Sequence, residues 1–336
     1  MKKLISLLPV FVILAFSCST DRGIQQILGT SAEAPVFLDC RPVSATEIVF
    51  RFSVPVRLVS FNMDPARKAE ASENGQELRI CFNQALEEGK KFTVDILVED
   101  TDRNTLNVIV PFRARNDRMP ALIFNELRTE YSKPKVEYLE FYTPEPGNLG
   151  AIRLFIAGYS LSKPVYEFPP AEVKAGEYIV LHLRNIEEGC VDETGADLGL
   201  SRGTEASSEA RDFWLPGSSK LFHKTDAIWL LDQDDRIIDA VLLSENPGAE
   251  WGQKQSAIAQ AAEFLSQKKA WRPRTGDSEE GWVPAPLDAV ITSGTTNTRT
   301  ICRDETLPSS PRAGNWYITA TSCATPGKLN NPKRYN

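Results

Sequence analysis

The densest set of groups able to hold a metal in this chain is Asp232-Gln233-Asp234-Asp235, where oxygen ligands at alternate positions suit a hard cation such as calcium. The run lacks the glycine and the distal bidentate glutamate of an EF-hand loop. It also stands between Trp229-Leu230-Leu231 and Ile237-Ile238, where a hairpin turn is expected and aspartate is favoured because it hydrogen-bonds its own backbone. Asp232, Asp234 and Asp235 are therefore weak metal candidates, and the reading is a turn, with no metal and no cofactor. Asp192, Glu193 and Asp197 read as a solvated loop. Nucleophilic catalysis needs a serine or cysteine beside a base and an orienting acid. His182, at a strand edge in Val180-Leu181-His182-Leu183-Arg184, and His223, after Leu221-Phe222, carry no mark of such a base, and no G-x-S-x-G elbow occurs. No G-x-G-x-x-G or Walker-type loop is present to cradle phosphates. Carboxylate pairs for glycoside cleavage are defined by spatial separation, and nothing in the sequence selects one. No catalytic residue is predicted.

Cysteine chemistry begins at the N-terminus. Met1-Lys2-Lys3, the apolar run from Leu4 to Phe16, and Ser17-Cys18-Ser19 give the basic, apolar and small-residue regions of a cleaved secretory signal over residues 1–17. Leu14-Ala15-Phe16-Ser17-Cys18 resembles a relaxed bacterial lipobox, with Phe16 in place of the usual small residue, which implies that Cys18 becomes the lipidated first residue. Several acyl chains on one residue hold a protein stably on a membrane, because each buried CH2 contributes about 0.8 kcal/mol and one chain alone is marginal. The expected location is outside the cytoplasm, anchored to the cell or outer membrane and facing periplasm or exterior. An exported protein can keep disulfides. Cys40 with Cys81 and Cys302 with Cys323 are the pairings that stay within single domains, with buried free thiols as the alternative. Neither these four nor Cys190 has zinc or redox spacing.

About 319 of the 336 residues follow the signal, more than one sandwich-sized core needs, so two domains are expected. A net charge of −7, with no basic stripe beyond Lys328, Lys333 and Arg334, argues against nucleic acid as a partner. No later apolar run approaches the ~20 residues needed to cross a bilayer. Residues 18–34 are small and polar, as in a flexible tether. From Pro35, short alternating or β-branched runs at Thr46–Phe52, Glu77–Phe82, Lys91–Val98 and Thr105–Phe112 are separated by turn residues such as Asn74-Gly75 and Asp102-Arg103-Asn104. Strands of this length and spacing predict an antiparallel sandwich, in which Ile48, Phe50 and Phe52 share one face and Arg51 takes the other.

Glu47 to Val56, Leu86 to Val94 and Asp100 to Asn104 resemble the bacterial Ig-like modules of envelope proteins, which implies an Ig-like fold over residues 35–116 and no chemistry. Further on, Leu122-Ile123-Phe124-Asn125-Glu126-Leu127 and Val136 to Thr143 alternate as two strands of one sheet. Gly158 to Leu161, Ala175 to Leu181, Ala227 to Leu231, Ile237 to Val241, Thr300 to Arg303, Trp316 and Ala324 to Asn330 follow. In this order they resemble the lamin-tail domain, an Ig-like β-sandwich also found in bacterial envelope proteins, over residues 120–331. Thr143 stands where that family commonly has Asn, and Thr300 where it has Ser; both keep a short hydrogen-bonding side chain.

The fold class predicted is all-β, with two tandem Ig-like β-sandwiches and a helical insertion in the second. The insertions are 185–217 and 249–286. Within the latter, Ile258, Ala261, Ala262 and Leu265 fall on one face at helical spacing. Trp214, Trp251, Trp271 and Trp282 lie in or beside these insertions and form the candidate binding surface, since tryptophan dominates contact hot spots. Together these features predict a membrane-anchored envelope lipoprotein acting as a non-catalytic binding or scaffolding module. Its partners would be the membrane, through the lipid, and a protein or envelope polymer. The lamin-tail resemblance also leaves open an accessory role beside a secreted hydrolase or nuclease. The competing readings are a metal-dependent hydrolase using Asp232 to Asp239 and a self-associating structural protein.

Overall fold

The computed structural model describes residues 34–248, 250–251, 255–277 and 280–336. The expected signal peptide, Cys18 and the tether through residue 33 lie outside the described residues. The chain forms two compact units: the described residues up to Leu86 with Lys91–Phe112, and Glu87–Lys90 with Arg113–Asn336.

In the first unit, residues of period two become strands with one buried face. The elements are β1 (Phe37–Ser44), β2 (Glu47–Phe52), β3 (Val56–Asp64), β4 (Ala69–Asn74), β5 (Glu77–Phe82), β6 (Lys91–Asp100) and β7 (Thr105–Arg113). One sheet has the order β1-β2-β5-β4 and the other β3-β6-β7. Ile48, Phe50 and Phe52 are fully buried while Arg51 is exposed, as the alternation predicts. Phe92, Val94, Ile96 and Val98 do the same for β6. The β4–β5 hairpin closes over Gly75 at φ 61°, a conformation in which a side chain on an L-residue is strained. β4 itself, Ala-Glu-Ala-Ser-Glu-Asn, is almost wholly exposed and is held by its ladder to β5. Such a strand has no hydrophobic alternation to be read.

The second unit contains β8 (Ala121–Arg128), β9 (Tyr138–Glu145), β10 (Gly147–Asn148), β11 (Arg153–Ile156), β12 (Tyr166–Glu167), β13 (Glu172–Val173), β14 (Tyr178–His182), β15 (Arg211–Trp214), β16 (Asp226–Leu231), β17 (Ile237–Ser244), helix α1 (Ser256–Gln267), β18 (Val290–Ile291), β19 (Ile301–Arg303) and β20 (Trp316–Ile318). A six-stranded sheet runs β15-β14-β9-β8-β19-β20, a five-stranded sheet runs β12-β11-β16-β17-β18, and β10 pairs with β13. Phe124, Phe141, Leu181 and Phe213 of the first sheet and Leu154, Ile156, Ile228 and Val241 of the second belong to one core. Phe168 fills its centre, edge-on to Phe141 at 5.8 Å and to Phe213 at 5.3 Å. The protein is all-β, with one α-helix in the second unit.

β16 is buried at every position, which requires cover on both faces. Its inner face meets the core. Its outer face, with Trp229, meets α1, whose buried residues are the Ile258, Ala261, Ala262 and Leu265 expected from their spacing. Full burial of a side chain of Ile or Leu size contributes roughly 1.5–3 kcal/mol, so this stripe outweighs the weak propensity of an isolated twelve-residue helix. The helix ends where Lys269 turns to φ 57° and the Ala270 N–H reaches back 2.8 Å to the Leu265 carbonyl.

Candidate functional site

The hairpin between β16 and β17 holds the three acidic candidates, and it is a turn. Asp232 Oδ1 accepts the Asp234 and Arg236 backbone N–H groups at 2.8 and 2.9 Å. Asp234 receives a two-pronged pair from Arg115 at 3.1 and 3.0 Å, and that hydrogen bonding holds its carboxyl below the usual range. Asp235, at φ 61°, accepts from Arg153 at 2.7 Å. Each carboxylate is drawn to a different partner, so the three do not share a centre; among the described residues no group of His, Cys, Asp and Glu has metal-binding geometry. Glu193 corrects the sequence reading in the other direction, while Asp192 is exposed in its loop as expected. Asp192 accepts the Trp214 N–H at 2.8 Å and the Tyr166 hydroxyl at 2.9 Å, and the fully buried Glu193 accepts the Ser201 and Asp212 N–H groups at 3.0 and 2.9 Å. Asp197 is likewise exposed, accepting the Gly199 N–H.

The acid–base groups with the greatest chemical capacity form a buried polar layer that the sequence did not reveal. Glu126 and Glu140 are register partners on β8 and β9, both fully buried. Glu126 accepts from the Thr300 hydroxyl and from the Thr325 N–H at 3.0 Å. Glu140 accepts from Asn125 Nδ2 at 2.8 Å and from the Gly327 N–H. Burial raises both carboxyls, and the neighbouring Glu126 charge adds to the effect on Glu140, so the pair retains a proton where an exposed glutamate has lost it. Thr300 thus uses its hydroxyl as its residue type suggests, whereas the buried Thr143 hydroxyl has no partner among the described residues.

In the same sheet His182 is interior, not at an edge, because the 185–217 insertion contributes β15 as a parallel neighbour on its far side. Its Nε2 lies 2.7 Å from Asp212 Oδ1, and its ring stacks on Trp214 at 3.8 Å. Arg128 pairs with Glu205 and lies 4.6 Å over the Tyr138 ring. These groups fasten the insertion and the segment around Gly327 to the sheet. His182, Asp212, Glu126 and Glu140 have no exposure to a solvent-borne substrate, although Arg128 Nε, the Tyr138 hydroxyl and His182 Nδ1 find no partner among the described residues.

The four candidate tryptophans do not form a surface. Trp214 is 6% exposed and Trp271 1%. Trp251 and Trp282 are half-buried against the core, and the Trp251 and Trp271 indoles donate to the carbonyls of Pro284 and Asp288. Large apolar rings on irregular segments give most by filling the space under those segments. The five described cysteines are free. Cys40 and Cys81 lie on strands flanking β2, opposite Phe50 and Glu47 respectively. Two strand spacings plus three residues of offset separate them by about 14 Å, beyond the reach of a disulfide. Cys302 is buried in β19 while Cys323 follows β20, half-buried.

One concave surface with aromatic lining lies where α1 meets the outer face of the five-stranded sheet. A cleft of about 430 Å³ has Phe155, Trp229 and Phe264 as its floor and wall, with Leu161, Arg153 and Asp235 at its margin. Phe155 and Trp229, register partners, stack at 5.3 Å with planes 9° apart, and Phe264 meets Trp229 at 6.0 Å. Of these residues the sequence pattern places only Trp229, in the Ala227–Leu231 strand, and it cannot show which rings meet beside the helix.

The fold and this cleft define a two-unit all-β protein whose larger unit carries a helix-flanked sheet. The chain belongs to the TP_1001_2nd family, described as a protein second domain, whose model matches residues 120–318. An uncharacterised protein of Treponema pallidum (strain Nichols) is 26% identical over 217 residues, covering 62% of this chain and 55% of that protein. The chain thus spans about half the length of this relative. Among solved structures, the N-terminal part of the bacterial S-layer protein SbsC aligns with TM-score 0.24 and 17% identity over 44% of this chain and 40% of that one. A DUF4876 family protein from Bacteroides thetaiotaomicron aligns with TM-score 0.28 and 11% identity over 80% and 88%. Neither similarity is deep enough to carry a function across.

Proposed function

We propose that the protein is a lipid-anchored envelope protein that works by binding, with Cys18 as the membrane attachment and the second unit as the recognition module. The first unit is an Ig-like spacer in this reading, and the second is a lamin-tail-like sandwich enlarged by its insertions. The observation that carries it is the aromatic cleft beside α1: a concave apolar site with a few convergent polar groups is the usual form of a ligand site. The distribution of acid–base groups supports the same reading. The carboxylate pair and the His182–Asp212 pair are buried and serve the scaffold, while the cleft presents aromatic rings beside Arg153 and Asp235.

The test is a reporter at the cleft margin. In a Cys81→Ser background, Leu161→Cys carrying an environment-sensitive fluorophore should give a saturable change with envelope extract, whereas the same fluorophore at Val191→Cys should not. Equal responses at both positions, or none at either, would refute the placement. Leu161 and Val191 are 37% and 44% exposed, so both accept the label without disturbing the core.

A further inference from the structure

The margin of the cleft carries an unusual division of charge. Arg153 spends only Nη2 within the protein, donating to the Asp232 carbonyl at 2.6 Å and to Asp235 Oδ1 at 2.7 Å. Its Nε and Nη1 donors, and Asp235 Oδ2, have no partner among the described residues. The Arg153 side chain is 25% exposed and that of Asp235 77%. A pure anion would meet Arg153 but be opposed by Asp235, and a pure cation the reverse. A ligand that carries both charges close together satisfies both. Beneath this pair the floor is flat, aromatic and apolar. On its wall the Trp229 indole N–H, in a residue only 3% exposed, lacks an acceptor among the described residues. That N–H is itself buried, so the contact Trp229 offers a ligand is apolar.

The geometry points to an aromatic or large apolar α-amino acid as the ligand. Its side chain lies against Phe155, Trp229 and Phe264, its carboxylate takes the free Arg153 donors, and its ammonium group faces Asp235. The volume of about 430 Å³ falls within the range of roughly 300–1,000 Å³ found for small-molecule sites. This assignment rests on the binding reading above and gives its site a ligand class. Two sources of the same side-chain chemistry, the free amino acid and an internal residue of a peptide, differ in their charged ends, and the test separates them.

The experiment is calorimetric titration of the full chain in detergent with L-phenylalanine, 3-phenylpropionate, phenethylamine, N-acetyl-phenylalanine amide and glycine. L-Phenylalanine should bind saturably and glycine should not. Loss of either charge in 3-phenylpropionate or phenethylamine should weaken binding about tenfold, as for one charge-assisted hydrogen-bonded contact. Arg153→Met should weaken L-phenylalanine and 3-phenylpropionate by about that factor but leave phenethylamine unchanged, and Asp235→Asn should show the opposite selectivity. Asp235 is exposed, so this second variant keeps the assignment testable if Arg153→Met unfolds. Equal affinity for N-acetyl-phenylalanine amide, or no saturable L-phenylalanine binding, would overturn the amino-acid assignment. A persisting response of the Leu161→Cys reporter to extract would then leave the cleft as the contact site, whereas its absence would remove both readings.

Discussion

Replacing Glu140 by Gln should flatten the pH dependence of the second unit's stability. Glu126 and Glu140 face each other across β8 and β9 with no exposure, and burial raises both carboxyls. The native pair therefore binds a proton that the unfolded chain has released once pH exceeds the ordinary carboxylate value. A group with a raised native pKa contributes its full stability below the unfolded value and loses it as pH climbs toward the native one. One retained proton gives a slope of about −1.4 kcal/mol per pH unit between the ordinary carboxylate value and the raised native one. The glutamine of the variant cannot titrate. It also presents one amide N–H₂ where Glu140 offers two acceptors to Asn125 Nδ2 and the Gly327 N–H, which costs about 1–3 kcal/mol. The variant should be the less stable form below the ordinary carboxylate value, and the difference should narrow by about 1.4 kcal/mol per unit as pH rises above it, for as long as the native pair keeps its proton. Urea unfolding followed by tryptophan fluorescence measures this directly, because all six tryptophans lie between residues 214 and 316, within the second unit. Other buried acids such as Asp226 add to the wild-type slope but cancel in the difference. Parallel curves for the two proteins would show that the pair holds no extra proton.

Four further outcomes follow from the same contacts. Arg303→Met removes a 2.6 Å pair with Asp239 and a 2.7 Å bond to the Phe124 carbonyl, both in buried surroundings, and should cost about 3 kcal/mol in a urea titration. Trp271→Ala should cost about 3–5 kcal/mol and lower the melting temperature while leaving the cleft reporter's response to ligand intact at low temperature, since Trp271 is core and not contact surface. In native protein a maleimide should modify the exposed Cys81 rapidly and Cys302 only on unfolding, because burial raises the Cys302 thiol and withholds its thiolate; mass spectrometry would overturn the free-thiol assignment by finding Cys40 bridged to Cys81. Cys18→Ala should move the protein from the detergent to the aqueous phase in partitioning, and retention in detergent would count against the lipid anchor.

The sequence by itself determined the β character of both units, the buried face of β2 and β6, and the stripe that places α1, because period two and period 3.6 are local properties of residue order. It also identified the Asp232–Asp235 segment as a turn, from the residues on either side. What it left undecided depends on which segments meet across long separations. β4 has no apolar alternation and exists only through its ladder with β5. His182 reads as an edge residue until β15, thirty residues further on, pairs beyond it. Glu126 and Glu140 carry no mark in the order of residues; a register shift between Phe124 and Glu126 sets the two carboxylates opposite each other, and residues 325–327, far along the chain, close over them as a buried pair. The tryptophans were misplaced for the same reason, since composition cannot distinguish a ring presented to a partner from one folded under its own loop. The cleft at Phe155 and Trp229 depends on which rings meet where a twelve-residue helix lies against the sheet, a matter of long-range packing that only the assembled tertiary structure decides.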